Sequence, residues 1–399
     1  MEITSPWLQY AFFAVGAAMY VLVMVDVFVT TISMHGGGPV TNAILGLAHA
    51  ALSGPPDKDD GEFERRRPVR AFLASYSNLL LTLTLFVTWV SLLLVGLTLM
   101  MYVTPEAIER SGGAGVASIW ERLYFAGASI TTAGFGDYVP GNTTWQFYTV
   151  LMATSGLVVS SLGIAYVINI VGAGIQQRVC ARYIFGCGAT PRMLLAAGWD
   201  GEGFGGLDTV LANVTAQLLT HTKNHLAYPM VHYVRSDSQR DSLPSRVAVL
   251  DEALTILLLE VPARHHPARS VLVGARNAVT AYLESIDAIY LSDDIADAAA
   301  PPWPRVGFLR EYWGIEPLDR RATLKCDERG GLARRRKLLL AAVESQGRTW
   351  RRAVGEVEPA TRCLDVDLFS AAYDLPRSGQ RELREVARGE RAAADVRPA

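Results

Sequence analysis

Thr131-Thr132-Ala133-Gly134-Phe135-Gly136-Asp137 is a short polar run set between two long segments that carry no charge. Residues 72–103 contain no Asp, Glu, Lys or Arg, and neither do residues 145–175. Each segment exceeds the roughly 20 residues that cross a bilayer as a helix, so both read as transmembrane helices. Within the run, Gly134 and Gly136 flank an aromatic residue. Glycine reaches backbone dihedrals closed to residues that carry a Cβ, which lets successive carbonyls point the same way. A ring of such carbonyls can stand in for the water shell of a cation.

The rest of the chain divides into membrane and water-soluble parts. Of 399 residues, 50% are hydrophobic and 19% charged, and the formal net charge is −2. This is too apolar for an ordinary soluble protein and too charged to lie wholly in a membrane. A third apolar segment, Leu8 to Met34, is interrupted only by Asp26. It follows MEITSPW, without a basic flank, and is longer than the roughly 7–15 apolar residues of a cleaved leader. It is therefore expected to be a transmembrane helix within residues 1–34. Lys58, Arg65, Arg66, Arg67 and Arg70 precede the second span, whereas no basic residue precedes the first. By the positive-inside rule the first loop is cytoplasmic and the N-terminus outside. The polar run then belongs to an extracellular segment, and everything after Ile175 to the cytosol. Arg110 and Arg122 in that extracellular segment face Glu106, Glu109, Glu121 and Asp137, an acidic excess that concentrates cations. Cys180, Cys187, Cys326 and Cys363 all fall on the cytosolic side, where disulfides are not expected. None has CxxC spacing, which argues against a zinc site.

Before the polar run, Ser118 and Glu121 have the spacing of a capping box, in which hydroxyl and carboxylate each satisfy an orphan N–H at a helix start. A helix is predicted from Ile119 to about Ile130. At 1.5 Å per residue it is about 18 Å long, enough to enter a membrane but not to cross it. Such a re-entrant element is tolerated only when it is buried in protein or lines water. Its C-terminal end brings the negative pole of the helix dipole beside Thr131. The chain is then expected to run out as an extended strand to Asp137, with Pro140 and Gly141 turning it toward the next span.

The stretch from Leu123-Tyr124-Phe125 through Thr131 to Asp137, between its two spans, resembles the pore domain of prokaryotic potassium channels with two helices per pore, whose filter reads T-V-G-Y-G-D. Potassium channels are the reference case for carbonyl coordination of this kind. The resemblance covers residues 72–178: an outer helix over 72–103, a pore helix over 118–131, a filter over 132–137 and an inner helix over 145–175. It implies that Thr132 offers its hydroxyl and carbonyl as the innermost ion site. Ala133, Gly134, Phe135 and Gly136 would supply carbonyls above it, and Asp137 the outer mouth. Ala133 replaces the usual Val or Ile and leaves less packing behind the filter. Phe135 replaces Tyr and removes a hydroxyl. Ala128 stands where some relatives place a Glu that pairs with the filter Asp, so Asp137 needs another partner or solvent. Gly156 lies where the family often has a glycine at a bend of the inner helix, a gating hinge. Equally, Gly156, Ser160 and Gly163 are small residues that let membrane helices approach closely. Asn169 reads either as facing the conduction path or as an interhelical hydrogen-bonding group.

One pore segment per chain cannot close a four-fold filter, so four identical chains are needed. The expected architecture is an all-α membrane protein: three transmembrane helices and a re-entrant pore helix per chain around a four-fold symmetric pore, with a predominantly helical cytoplasmic domain. Asp26 is an acid within a span, costly there and a functional hypothesis by default. It lies two to three turns from His35, within reach of a basic residue of another helix or of water, and a structural or coupling role is favoured over conduction. Residues 35–71 form a cytoplasmic linker in which Thr41 to Leu52 has the pattern of an interfacial helix.

Residues 179–375 read as a helical domain, with apolar residues at helical spacing around Val210–Leu219, Ser245–Leu259 and Val271–Ile286. No glycine-rich nucleotide fingerprint follows a strand. His221 and His225 share a helix face, with His232 beyond, but packing histidines are favoured over a metal site. Arg334-Arg335-Arg336-Lys337 reads as a solvated helix start or, less favoured, as a contact for anionic lipid. Residues 376–399 are expected to be a disordered tail. No catalytic residue, no cofactor other than permeating potassium ions and no nucleic-acid partner is expected. The expected function is a passive, potassium-selective homotetrameric channel in the plasma (inner) membrane, in contact with lipid. Its gate would answer an unknown cytosolic ligand or protein. The alternatives are a weakly selective cation channel, or a membrane sensor or scaffold that keeps a pore-like architecture.

Overall fold

The computed structural model of the chain describes residues 6–33, 36–52, 77–112, 116–233, 238–290, 299–320 and 324–354. The expected tail over 376–399, the basic stretch from Lys58 to Arg70 and Cys363 lie outside the described residues. The chain divides into two units. The first comprises Met1–Gly54, Val69–Gly174 and Asn224–Val234, and the second Pro55–Pro68, Ile175–Lys223 and Arg235–Ala399.

The first unit is built on α1 (Pro6–Ile32), α2 (Pro39–Leu52), α3 (Ser77–Met100), α4 (Ile119–Ile130) and most of α5 (Thr143–Cys187). Among the described residues three segments are long and apolar enough to cross a membrane, Trp7–Ile32, Leu79–Val103 and Thr143–Cys187, so the protein is an all-α membrane protein. Their hydrophobicity runs all round, as burial in lipid and protein together requires. Packing nevertheless selects one face. Leu85, Trp89, Leu93, Leu97 and Met101 recur every fourth residue and are all buried, the row that a helix aligns on one side. Where α1 meets α3 the backbones nearly touch: a Cβ on Gly16 would lie 2.5 Å from the Gly96 carbonyl oxygen, and one on Gly96 3.0 Å from that of Gly16. Small residues permit this approach in a membrane, where dispersion contacts and not the hydrophobic effect drive association.

α5 is much longer than the uncharged run 145–175. Gln176, Gln177 and Arg178 stop the apolar pattern but none breaks a helix, and the helix ends only at Cys187, before Gly188. At 1.5 Å per residue it is about 68 Å long, more than twice the roughly 30 Å of a hydrocarbon core. Its last part, from Ile175, belongs to the second unit, where Cys180, Ala181 and Ile184 join the hydrophobic core.

The second unit continues with α6 (Pro191–Ala197), α7 (Leu207–Ala227, up to Lys223), α8 (Leu243–Glu260), α9 (Arg269–Tyr290), α10 (Phe308–Trp313), α11 (Cys326–Glu344) and α12 (Trp350–Val354). α8 is the central helix, buried along its length except at Leu258 and Leu259. Burial extends to its charges, and this corrects the reading of the basic run. Arg334–Lys337 lies in the middle of α11, not at a solvated start. Arg335 donates to Asp251 at 2.7 Å, and Arg276 reaches the same carboxylate at 2.6 Å. Arg336, 1% exposed, pairs with Glu252 at 2.8 Å and donates to the carbonyls of Pro301 and Pro302. Buried carboxylates on α8 demand buried cations, because an unpaired charge in the core costs several kcal/mol by an order-of-magnitude estimate.

Candidate ion-conduction site

α4 begins as the spacing predicts. Ser118 Oγ accepts from the Glu121 N–H and Glu121 Oε2 from the Ser118 N–H, a reciprocal capping box. Glu121 has a second partner, the Tyr138 hydroxyl at 2.6 Å. That hydrogen bond, with those from Ser118, holds the Glu121 carboxyl down at about 2.

The other end of α4 shapes the polar run. The Thr132 N–H donates to the Ser129 carbonyl at 3.0 Å and the Ala133 N–H to the Ala128 carbonyl at 2.8 Å. These are the paired bonds of a Schellman motif, with Thr131 as the cap and Thr132 in the left-handed position beyond it. Glycine is the usual residue there. Thr132 takes it with a φ of 55°, and for a β-branched residue this is a true outlier. The pattern continues: Gly134 has φ 59° and Gly136 φ 80°, while Ala133 and Phe135 keep negative φ. In an ordinary strand successive peptide planes face opposite sides, and reversing φ at every second residue turns alternate planes over and brings their carbonyls to one side. The run is therefore not the extended strand expected up to Asp137. Regular pairing starts only at Tyr138, where β2 (Tyr138–Pro140) runs antiparallel to β1 (Ile108–Arg110) with Glu109 opposite Val139.

Residues Thr131 to Asp137 are all exposed in the single chain, but their side chains are braced from α4. Tyr124 stacks on Phe135, with ring centroids 6.1 Å apart and planes at 17°, and its hydroxyl donates to Asp137 Oδ2 at 2.8 Å. The carboxylate raises the Tyr124 phenol above its usual range by accepting its proton in that bond. Asp137 thus has the partner that Ala128 cannot supply, one turn earlier on the same helix face. The aromatic residue at four before Ala128 was the available signal. Beside Ala128, a cavity of about 300 Å³ is lined by Ser129, Thr132, Phe135 and Thr149.

Gly156 has a steric reason to be glycine. A Cβ there would lie 2.0 Å from the carbonyl oxygen of Ile130, the last residue of α4. α5 passes through it without a break. Ser155 beside it is 2.9 Å from the Tyr20 hydroxyl of α1, so α1 grips α5 next to the point where α5 meets the end of α4. Asn169 is exposed in the single chain.

Two charged residues behave otherwise than expected. Arg122 does not face the mouth. Its guanidinium, 2% exposed, donates to the carbonyls of Met101, Thr104, Pro105 and Ala117 and lies over the Tyr102 ring. A cation at the C-terminal end of α3 meets orphan carbonyls and the negative end of the helix dipole. Among the described residues Asp26 meets no basic side chain: wholly buried, it accepts from the Val40 N–H (2.7 Å), the Thr41 N–H (3.2 Å), the Thr41 hydroxyl (2.8 Å) and Trp89 Nε1 (2.7 Å). It is the anion at the N-terminus of α2, the position that helix ends favour for negative charge. Gly38 is obligatory for this approach, since a Cβ there would lie 2.3 Å from Asp26 Oδ1.

Of the histidines, His225 Nε2 lies 3.3 Å from His232 Nδ1, and burial pulls the His225 imidazole down to about 4. His221 packs beside Tyr282 in the second unit. Among the described residues no group of three or more His, Cys, Asp and Glu side chains is placed to hold a metal ion.

Long apolar helices that enclose a short capped helix followed by a braced, sign-alternating backbone define a multi-pass membrane protein. Residues 79–173 match the family model described as "Ion channel". The chain is also similar to the "Uncharacterized membrane protein YdjJ" of Bacillus subtilis (strain 168), with 28% identity over 328 residues, 82% of this chain and 91% of that relative. No solved structure matches.

Proposed function

We propose that four copies of the chain assemble around a common axis into a passive, potassium-selective channel. Its N-terminus and filter mouth lie outside the plasma membrane and its second unit in the cytosol. The observation that carries this reading is Thr132. A β-branched residue is held left-handed at a helix end where glycine would fit without strain, and an observed outlier of this kind points to function. A threonine there offers a hydroxyl as well as a carbonyl to a dehydrating cation, beside the negative end of the α4 dipole. Gly134 and Gly136 repeat the left-handed turn and extend the row of carbonyls, and the exposure of the whole run in one chain suits a site completed by three others. Selectivity then comes from the number and field of these oxygens.

The purified chain reconstituted into potassium-loaded liposomes is the test. Potassium efflux that leaves sodium behind, with bi-ionic reversal potentials displaced toward the potassium equilibrium, is expected. Equal permeability to the two ions would reduce the reading to a weakly selective cation channel. Absence of flux at every pH and lipid composition would remove the channel reading.

A further inference from the structure

Residues 224–233 follow directly on the part of α7 that belongs to the second unit, yet they are part of the first. The segment is a compact object. Its Tyr228 N–H returns to the Asn224 carbonyl at 2.8 Å, and the Val231 N–H to the Tyr228 carbonyl at 2.9 Å. A short 3-10 turn, Pro229–Tyr233, follows, and the His225–His232 contact ties its two ends together.

This segment touches both α3 and α5. Met230 is wholly buried and its sulfur accepts from the Thr82 hydroxyl, near the start of α3, at 3.4 Å. Val231, also wholly buried, packs with Tyr228 against Ala173 of α5. The Tyr228 ring meets Tyr166 of α5 edge to face, with centroids 5.8 Å apart, and Tyr166 leans in turn on Trp89 of α3 at 6.3 Å. All of these α5 residues lie on the far side of Gly156 from the polar run. The segment therefore bridges the two helices along the half of α5 remote from the filter.

We infer that residues 224–233 are a wedge that positions the cytoplasmic half of the pore-lining helix. It fills the space into which α5 must swing if the four inner helices are to part, and so holds the non-conducting arrangement. The inference rests on the reading of α5 as pore-lining. Its chemistry suits a removable part: two apolar side chains, one aromatic edge contact and a weak hydroxyl-to-sulfur hydrogen bond, with no ion pair among these contacts. Because the wedge follows directly on α7 in the chain, displacement of α7 would draw it out, and a two-state element of this kind is what a physical coupling requires.

The test uses the full chain in liposomes and two independent readouts. The double substitution Met230→Ala and Val231→Ala removes the wedge's buried bulk. It is expected to raise the open fraction at least about tenfold, because loss of two core side chains readily shifts a two-state equilibrium by a decade. In a background with Cys180, Cys187, Cys326 and Cys363 replaced by Ala or Ser, spin labels at Asn169→Cys, one per copy, should then move apart by several ångströms, a distance that can be read whether or not ions flow. Conversely, Thr82→Cys with Met230→Cys in the same cysteine-replaced background should form a bridge under oxidation that lowers the current, and a reductant should restore it. Unchanged label distances in a folded tetrameric variant overturn the wedge. So does a fall in open fraction. Label movement in a protein that passes no ions overturns the pore reading and leaves the wedge standing.

Discussion

Replacing Thr132 by glycine should stabilise the protein and abolish its ion selectivity, two effects of opposite sign from one substitution. Thr132 holds a φ of 55° in the Schellman position after α4. An L-residue there costs roughly 1–2 kcal/mol that glycine does not. Glycine in turn has a more flexible unfolded chain, which offsets about 0.4–1 kcal/mol. The net gain is about 0.5–1 kcal/mol per chain. Thermal unfolding in detergent with a non-permeant cation should therefore show Thr132→Gly at or above the wild type. Thr132→Ala, which keeps the strained Cβ, should show no gain. Potassium should raise the unfolding temperature of the wild type, since a ligand that binds only the folded state stabilises it by mass action. That increment should shrink for both variants and survive in Thr132→Ser, which keeps the hydroxyl. The reasoning is refuted if Thr132→Gly melts clearly below the wild type, or if it retains both the potassium increment and the reversal potential.

Other substitutions probe the supports of the run. A methyl at Gly156, 2.0 Å from the Ile130 carbonyl oxygen, forces α5 off the end of α4. Gly156→Ala should thus cost about 1–3 kcal/mol, the usual range for overpacking, seen as a lower unfolding temperature in detergent. Asp26→Ala strands the buried donors of Val40, Thr41 and Trp89. At about 1–3 kcal/mol per orphaned group it should release α2, and hydrogen exchange over residues 39–52 should rise sharply while α3 stays protected. Glu121, depressed to about 2 chiefly by Tyr138, stabilises the folded mouth above its unfolded value near 4.3, and this contribution fades as pH falls toward 2. Tyr138→Phe should move the Glu121 titration upward, measurable by NMR on the labelled carboxyl. An unmoved titration would mean that Ser118 alone sets it.

The sequence carries the elements that depend on near neighbours in the chain. Uncharged length marks the spans, and Ser118 with Glu121 marks the start of α4, because the capping groups lie three residues apart. What it hides are partners set by tertiary contact. The carboxylate of Asp26 finds the N-terminus of α2 fourteen residues away in sequence and the indole of Trp89 sixty-three away. Neither distance leaves a periodic trace. Arg122 looks like a mouth charge because composition counts charges without direction, and only the fold turns it toward the carbonyls of Met101, Thr104 and Pro105. Arg335 and Arg336 look solvated for the same reason, since nothing local shows that Asp251 and Glu252 are buried across from them.

These hidden contacts are not scattered. Tyr228 touches Tyr166, Tyr166 leans on Trp89, and Trp89 donates to Asp26, whose remaining lone pairs hold the start of α2. The first helix, which a two-helix pore does not need, thereby acquires a physical task. A buried carboxylate on α1 fixes the rotamer of Trp89, and Trp89 is the surface of α3 against which Tyr166 of the inner helix rests. α1 touches α5 directly where the Tyr20 hydroxyl meets Ser155 beside Gly156, and reaches Tyr166 only through Trp89 of α3. One contact stands at the end of α4 that shapes the Thr131–Asp137 run and the other at the half of α5 that the wedge occupies. With α5 held directly at Ser155 and through Trp89 at Tyr166, tilting of α5 as a rigid rod is resisted, so movement at the wedge would have to bend α5 between Ser155 and Tyr166. Gly163, whose added Cβ would strike the Phe86 ring at 2.8 Å, lies in that interval. A bend there must carry Phe86 with it or break that contact.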